Sequence, residues 1–277
     1  MIFLFLFLSL FQAGPQEDIL VQQSSVFDLS LFAQEDSNYL DLPDLSSDVV
    51  LIKEINGKTL FQKNADKQKD IASITKLMSA YLGYNIFSSK DYFIFDQESI
   101  HQEGNVGNFY VGEKISLEEI MKASLVGSSN DAIYLLAKTY SLERFVSLMN
   151  KQAQEWKMLH TNFVDPTGLG KNFSTARDLF ILLTKIYSQQ PEIFNLTRLD
   201  KVTINNKIIW TTNLLLPKYS SIIVGAKTGY KETAGENLAM ILKFDNSPFI
   251  VVIILDSKDR WSDAEKIIRS LKNYYAQ

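Results

Sequence analysis

The sequence of 277 residues contains no cysteine and only two histidines, His101 and His160. The absence of cysteine excludes disulfides, iron–sulfur clusters, zinc–thiolate sites and thiol nucleophiles. Two histidines leave little room for a Ser-His-Asp site, and the patterns G-x-S-x-G and H-E-x-x-H do not occur. A phosphate-binding loop before Lys227-Thr228 is also excluded, because Ser221 and Ala226 stand where that loop needs glycine. Catalysis by a hydrolytic metal or with ATP is therefore not expected.

Basic residues are absent from the first 52 positions of the sequence. Residues 15–48 carry 8 of the 32 acidic side chains, so the rest of the chain holds 28 basic residues against 32 − 8 = 24 acidic ones, a formal charge of +4. A mildly basic body behind an acidic leader suits an anionic ligand. The excess is too small and too scattered to indicate a nucleic-acid-binding protein.

The amino-terminal segment begins with the apolar run 2–11. As a helix this run would extend roughly 15 Å, half the hydrocarbon core of a bilayer, which is typical of a signal segment rather than a membrane span. No Lys or Arg precedes the run, and Phe11 fits poorly before a cleavage site, so a retained anchor, a mis-assigned start and a buried strand stay open. We predict a signal-like or anchor segment over 1–14, an acidic tether over 15–48 and a folded domain over 49–277.

Strand patterns lie near both ends of the predicted domain, with helical patterns between them. Asn56-Gly57 between two apolar stretches predicts a β-hairpin over 49–63. Ser116 with Glu119 predicts a capping box, and Ser141 and Ser262 are further N-cap candidates. The remaining predicted elements are strands at 222–227, 237–244 and 249–255 and helices at 73–87, 116–126, 130–140, 142–156, 175–188 and 262–275. This order predicts one sheet assembled from both ends of the chain, with a helical lobe inserted.

Three short motifs offer side chains suited to catalysis. Ser73-Ile74-Thr75-Lys76, at a helix start, places an amine one turn above a hydroxyl, where a lysine of lowered pKa can take the serine proton. Ser128-Ser129-Asn130 offers a hydroxyl for proton relay and an amide for a substrate carbonyl or the lysine. Lys227-Thr228-Gly229, on a strand, offers a cation and a hydroxyl to a carboxylate, and glycine allows close approach. Each motif alone also fits a structural role, as a helix cap or a strand end.

Together and in this order, the three motifs resemble those of the serine D-Ala-D-Ala carboxypeptidases, the low-molecular-mass penicillin-binding proteins. The resemblance covers about 49–255 and implies a β-lactamase/transpeptidase-like α/β fold with an antiparallel sheet. Its further family-like segments are 71–78, 128–132, 161–169, 174–179, 212–215 and 227–235.

The resemblance implies a role for each motif residue. Ser73 would be the acylated nucleophile, Lys76 its base and Ser128 the proton relay. The residues that would bind the substrate are Asn130, Lys227, Thr228 and Gly229, with Lys227 and Thr228 on its terminal carboxylate. The oxyanion hole would be the backbone N–H groups of Ser73 and Tyr230. The reaction would release the terminal D-alanine of a peptidoglycan stem peptide through an acyl-serine, with no cofactor or metal, and β-lactams would inhibit covalently.

The resemblance also implies an exported protein at the outer face of the cytoplasmic membrane, in the periplasm or in the cell wall. Many members carry a second all-β domain and a C-terminal amphipathic anchor, whereas this sequence stops at Gln277, so any membrane attachment is expected from the N-terminal segment. Asp165 stands where Asn is frequent in the family, which we interpret as a loop change with little catalytic effect. His160, beside that loop, is expected to be structural.

Three alternative functions stay open at this point. A D,D-endopeptidase acting on cross-linked peptidoglycan would use the same residues. A class A-type β-lactamase would need a glutamate that activates water, and the nearest candidate, Glu192 with Asn195 three residues later, lies on a Pro-led segment that is more typical of a helix start. A non-catalytic wall-binding protein would be expected to have lost motif side chains, all of which are present.

Overall fold

The computed structural model describes residues 40–104 and 106–276. The predicted signal-like segment 1–14 and most of the predicted tether lie outside the described residues. In the part of the chain that is described, no helix combines the length and apolar character needed to cross a bilayer.

The secondary structure alternates between a sheet and a helical lobe. The strands are β1 Val49–Glu54, β2 Thr59–Lys63, β3 Lys69–Asp70, β4 Tyr92–Ile94, β5 Lys114–Ser116, β6 Phe173–Ser174, β7 Lys201–Ile204, β8 Lys207–Trp210, β9 Ile223–Lys231, β10 Gly235–Lys243 and β11 Phe249–Ser257. The helices are α1 Lys76–Ile86, α2 Leu117–Val126, α3 Asn130–Tyr140, α4 Leu142–Glu155, α5 Ala176–Gln189, α6 Glu192–Leu196, α7 Leu216–Tyr219 and α8 Arg260–Tyr275.

The main sheet has five strands in the order β2-β1-β11-β10-β9, and every neighbouring pair is antiparallel. The pairing of β1 with β11, which places Val50 opposite Ile254, joins the two ends of the domain. Because side chains alternate along a strand, Leu51 and Ile253 pack against the helical lobe, whereas Val50 and Ile254 pack against α8. The predicted α/β fold, with an antiparallel sheet built from both chain ends and an inserted helical lobe, is confirmed.

Two helix starts differ from the predictions. The helix predicted from residue 73 is a 3-10 turn over Ala72–Thr75 followed by α1, and Ala72 has a left-handed φ of 47°. The last helix begins at Arg260 rather than after Ser262, because the Asp259 carboxylate accepts hydrogen bonds from the backbone of Trp261 and Ser262. A carboxylate is favoured there over a hydroxyl, since it also interacts with the positive end of the helix dipole.

Two other helix caps were identified in the sequence. Ser116 and Glu119 form the predicted capping box at the start of α2. Ser141 stands at the start of α4, but its side chain makes no capping hydrogen bond and its φ is 108°. Ser141 is therefore the N-cap residue of α4, as predicted, but its side chain does not cap the helix.

The described part of the predicted tether, residues 40–48, lies against the domain. The backbone N–H of Leu40 donates to the carbonyl of Leu60 at 3.0 Å. The backbone N–H groups of Ser46 and Ser47 each donate to the Asp263 carboxylate on α8 at 2.9 Å. These bonds fasten the segment that precedes β1 to the helix behind the sheet.

Two glycines allow three chain segments to meet at one end of β9. A Cβ atom at Gly229 would lie 2.7 Å from the Ile71 carbonyl oxygen, and one at Gly168 would lie 2.2 Å from the Ala72 carbonyl oxygen. Side chains at these positions would push strand β9 and the loop around Gly168 away from the turn that carries Ser73. The close approach builds the floor of the cleft described next.

Candidate active site

Ser73 and Lys76 lie at the junction of the 3-10 turn and α1. Lys76 Nζ donates to Ser73 Oγ at 2.9 Å, to Asn130 Oδ1 at 2.6 Å and to the Thr167 carbonyl oxygen at 2.5 Å. The Lys76 side chain is fully buried. Its hydrogen-bond partners are a hydroxyl, an amide and a backbone carbonyl, none of which carries a formal charge.

Burial lowers the pKa of Lys76 well below its ordinary value of 10.5, and the positive charge of Lys227 lowers it further, while the Asp165 carboxylate opposes both effects. The ammonium loses its hydration and gains no hydrogen-bonded anion in exchange. The lowered pKa favours the neutral amine, whose nitrogen can accept the proton of the Ser73 hydroxyl.

The second motif forms the turn between α2 and α3. Ser129 caps α3 by accepting from the backbone of Ala132, and its hydroxyl donates to the Val106 carbonyl at 2.7 Å. Ser128 has a left-handed φ of 63°, an uncommon conformation for a residue with a side chain. With Ser129 holding the turn in place, the Ser128 hydroxyl accepts a hydrogen bond from Lys227 Nζ at 3.0 Å.

The third motif lies on β9, an outermost strand of the main sheet. Lys227 is buried, and burial together with the nearby Arg260 lowers its pKa to about 7. The Thr228 hydroxyl lies 2.6 Å from the Thr212 hydroxyl. Strand β9 therefore contributes Lys227 and the Thr228 hydroxyl, and Thr212, from the segment after β8, adds a second hydroxyl beside them.

The three motifs border one cleft with a volume of about 250 Å³. Its lining residues are Ser73, Gly104, Val106, Gly127, Ser128, Asn130, Thr212, Thr228, Gly229, Tyr230 and Arg260. The buried side chains of Lys76 and Lys227 lie next to the cleft and donate hydrogen bonds to the hydroxyls of Ser73 and Ser128. The structure thus brings all the predicted site residues together, including the two whose backbone N–H groups are predicted to form the oxyanion hole.

Arg260 is a cleft residue that the sequence analysis missed. Its Nη1 donates to the Gly229 carbonyl at 2.6 Å and to the Asn237 carbonyl at 3.2 Å. Arg260 is the first residue of α8, which follows β11. Because β9, β10 and β11 are neighbouring antiparallel strands, the start of α8 lies near the end of β9. No short-range pattern in the sequence links Arg260 to the third motif.

Two residues considered in the sequence analysis do not line the cleft. Glu192 is exposed at the first position of α6, after Pro191, as the helix-start interpretation expects. His160 is exposed, and its backbone N–H donates to Asp178. The described residues that line the cleft include no carboxylate. In the described ranges no three acidic or histidine side chains are grouped so as to hold a metal ion.

Residues 38–258 match the sequence profile of the D-alanyl-D-alanine carboxypeptidase family. A D-alanyl-D-alanine endopeptidase of Pseudomonas aeruginosa is 32% identical over 83% of this chain and 78% of its own length. D-alanyl-D-alanine carboxypeptidase DacC of Escherichia coli is 27% identical over 79% of this chain, which spans 59% of the length of DacC.

Solved structures agree with the sequence match. A D-alanyl-D-alanine carboxypeptidase from Mycobacterium tuberculosis superposes with a TM-score of 0.78 at 20% identity, covering 84% of this chain and 94% of that one. Penicillin-binding protein D2 from Listeria monocytogenes, in its ampicillin-bound form, gives a TM-score of 0.72 at 28% identity and covers 83% of this chain and 98% of its own. The chain therefore belongs to the D-alanyl-D-alanine carboxypeptidase family of serine peptidases and has the transpeptidase/β-lactamase fold of penicillin-binding proteins.

Proposed function

We propose that this protein is a serine D-Ala-D-Ala carboxypeptidase that removes the terminal D-alanine from peptidoglycan stem peptides and that β-lactams acylate it. The observation that carries the proposal is a buried lysine, Lys76, whose Nζ lies 2.9 Å from the hydroxyl of Ser73, and Ser73 lines a cleft together with Ser128, the hydrogen-bond partner of Lys227. Because this substrate lies outside the cytoplasm, we expect an exported protein at the outer face of the membrane, in the periplasm or in the wall, with any membrane association through the N-terminal segment.

The first step forms the acyl-enzyme. Neutral Lys76 takes the proton of the Ser73 hydroxyl while Oγ bonds to the carbonyl carbon of the penultimate D-alanine. The carbonyl electron pair moves onto oxygen, where the backbone N–H groups of Ser73 and Tyr230 stabilise the negative charge. Each such donor contributes roughly 3 to 4 kcal/mol in comparable sites.

The tetrahedral intermediate then collapses. The carbon–nitrogen bond breaks, and the proton that Lys76 took from Ser73 passes through the Ser128 hydroxyl to the leaving amine, so Lys76 is neutral again. Lys227 holds that hydroxyl at 3.0 Å. After D-alanine leaves, a water molecule gives its proton to Lys76 and its oxygen to the acyl carbon. The Ser73 oxygen departs with the proton that Lys76 took from the water, which restores the Ser73 hydroxyl and neutral Lys76.

Substrate orientation comes from the strand and its cations. The outer edge of β9 can pair with an extended peptide, and the peptide's free carboxylate can bind Lys227, Thr228 and Arg260. Asn130, whose Oδ1 accepts from Lys76, can donate its amide to the carbonyl of the substrate. Fixing the carboxylate selects the last peptide bond for attack by Ser73.

A D,D-endopeptidase acting on cross-linked peptidoglycan is the second candidate. Two endopeptidases, of Pseudomonas aeruginosa and Escherichia coli, are 32% and 30% identical to this chain and are covered over 78% and 74% of their lengths. The same catalytic residues serve both reactions, which differ in how much substrate the cleft accepts.

The decisive experiment compares three muropeptides: one ending in free D-Ala-D-Ala, the same peptide amidated at its C-terminus, and a cross-linked dimer. For a carboxypeptidase, amidation should lower kcat/KM by about 10- to 150-fold, because a charge-assisted hydrogen bond of roughly 1.5 to 3 kcal/mol is lost. Comparable turnover of the free and amidated peptides, or preferred cleavage of the dimer, would favour the endopeptidase.

Ser73→Ala is the control for both reactions. The wild-type protein should be labelled by fluorescent penicillin on Ser73, as mapped by mass spectrometry, and the Ser73→Ala variant should not be labelled. Labelling that persists in the variant, or that maps to Ser128, would contradict the proposed mechanism.

A further inference from the structure

Asp165 organises the loop that lies against Lys76. Its Oδ1 accepts from the Thr167 backbone at 2.7 Å, the Thr167 hydroxyl at 2.5 Å and the Gly168 backbone at 2.8 Å. Its Oδ2 accepts from the Gly170 backbone at 2.6 Å. The carbonyl of Thr167, the residue bonded twice to Asp165, accepts from Lys76 Nζ at 2.5 Å. One carboxylate therefore sets the direction of a carbonyl that contacts the catalytic amine.

Asp165 and Lys227 are the charged groups that act on Lys76. Lys227 approaches from β9 and Asp165 from the loop, whereas the atoms that Lys76 contacts directly are uncharged. Lys231 touches the same loop at the carbonyls of Leu169 and Gly170, but it is paired with Asp70 at 2.6 Å. The negative charge of Asp165 therefore raises the pKa of Lys76 and opposes the positive charge of Lys227, which lowers it.

We propose that Asp165 is a positioning residue of the acylation step: through Thr167 it aims a backbone carbonyl at Lys76, the amine that takes the proton of Ser73. The proposal rests on the proposed function of Lys76 as base. It assigns a second role to a residue that the sequence analysis interpreted as a loop change with little catalytic effect.

The negative charge of Asp165 should shift the pH dependence of the acylation rate in one predictable direction. Acylation requires neutral Lys76, so the rate rises as pH increases through the Lys76 pKa. The Asp165 carboxylate raises that pKa, and removing its charge should therefore move the acidic limb of the profile to lower pH. The alkaline limb, set by Lys227 with a pKa of about 7, should stay in place, because burial and Arg260 determine it.

The test measures the second-order rate of penicillin acylation against pH for the full chain and for Asp165→Asn. The amide keeps one oxygen for Thr167 and Gly168 and loses only the acceptor for the Gly170 N–H, so we expect the acidic limb at lower pH and a plateau within about tenfold of wild type. Asp178→Asn is the matched control, since Asp178 is also hydrogen-bonded to a neighbouring loop, through His160 and Thr161. It should leave the limb unmoved. A limb that does not move in Asp165→Asn, or moves equally in both variants, would overturn the proposal.

A second variant, Asp165→Glu, separates position from charge and serves if the amide variant fails to fold. The charge stays but the longer side chain cannot hold Thr167 in the same place, so the plateau rate should fall at least about tenfold with the acidic limb near its wild-type pH. Wild-type rates throughout would refute the positioning role. Because the readout is penicillin acylation, it does not depend on which peptide is the substrate. A wild-type protein that penicillin does not acylate would instead refute the proposed function.

Discussion

The cleft and a second region shift the pKa of a lysine in opposite directions. We call the second region the Lys69 cluster, and it consists of Asp48, Lys67, Lys69 and Asp256. Lys69 keeps 18% of its side chain exposed, and its Nζ lies 2.5 Å from Asp48 and 2.6 Å from Asp256. Burial lowers the pKa of Lys69, but the hydrogen bonds to the two carboxylates outweigh burial and raise it overall. In the cleft, Lys76 is fully buried without a carboxylate in its hydrogen bonds, and its pKa falls.

The difference shows that the partners of a lysine decide its chemistry. An ammonium paired with carboxylates stays protonated and contributes to stability, whereas one buried among neutral groups loses hydration without compensation. The cleft therefore holds a lysine that can act as a base only because it gives up the ion pairs that stabilise Lys69. Reactivity at Lys76 and a cost to folding have the same physical origin.

The sharpest test of this comparison replaces each lysine with arginine. Arginine keeps the charge but does not deprotonate, so Lys76→Arg should lower the rate of penicillin acylation by at least about 100-fold, the usual effect of losing a general base. Lys69→Arg should acylate at the wild-type rate. Stopped-flow labelling with fluorescent penicillin measures both variants. Normal acylation by Lys76→Arg would mean that the proton of Ser73 goes elsewhere.

Replacing a lysine of each region with methionine should change stability in opposite directions. Lys227→Met should raise the free energy of unfolding by roughly a few kcal/mol, because folding buries this lysine with hydrogen bonds to a neutral hydroxyl and a backbone carbonyl. Lys69→Met should lower it by about 0.5–1 kcal/mol, since a partly exposed ion pair is lost. Urea denaturation at neutral pH measures both changes. Destabilisation by Lys227→Met would contradict the view that the cleft weakens the fold.

The same substitution should also change how stability depends on pH. The pKa of Lys227 is about 7 in the folded protein and about 10.4 in an unfolded chain, so the unfolded state binds more protons between these values. The wild-type free energy of unfolding should therefore gain from this group as pH rises from 7 to 10. Lys227→Met lacks this gain, and the stability difference between the two proteins should narrow toward pH 10.

The pH dependence of peptide cleavage separates the two lysines of the cleft. Lys227 must be protonated to bind a carboxylate, so kcat/KM for a free-carboxylate peptide should fall as pH rises above about 7, by up to about tenfold per pH unit. An amidated peptide, which does not need the cation, should show a weaker decline. Equal declines for the two peptides would remove Lys227 from carboxylate recognition.

Local patterns in the sequence determined much of this protein. Asn56-Gly57 predicted the first hairpin, although the loop that closes it has three residues, 55–57, rather than two, and only Gly57 of the pair has a left-handed φ. The Ser116 capping box predicted the start of α2. The spacing of Ser73 and Lys76 predicted that amine and hydroxyl would meet, since three residues make almost one helical turn. These features depend on interactions between residues that are close in the chain.

Contacts between distant parts of the chain required the tertiary structure. The Thr167 carbonyl reaches Lys76 across 91 residues, and Arg260 reaches Gly229 across 31. Neither contact corresponds to a periodic or short-range pattern in the sequence, because each depends on how the sheet and the loop pack against the turn that carries Ser73. The left-handed backbone at Ala72 and Ser128 was equally hidden, since these residue types do not favour it. Packing imposes it, and packing also decides that Lys76 is buried beside Asp165 and Lys227, which makes an ordinary lysine a base.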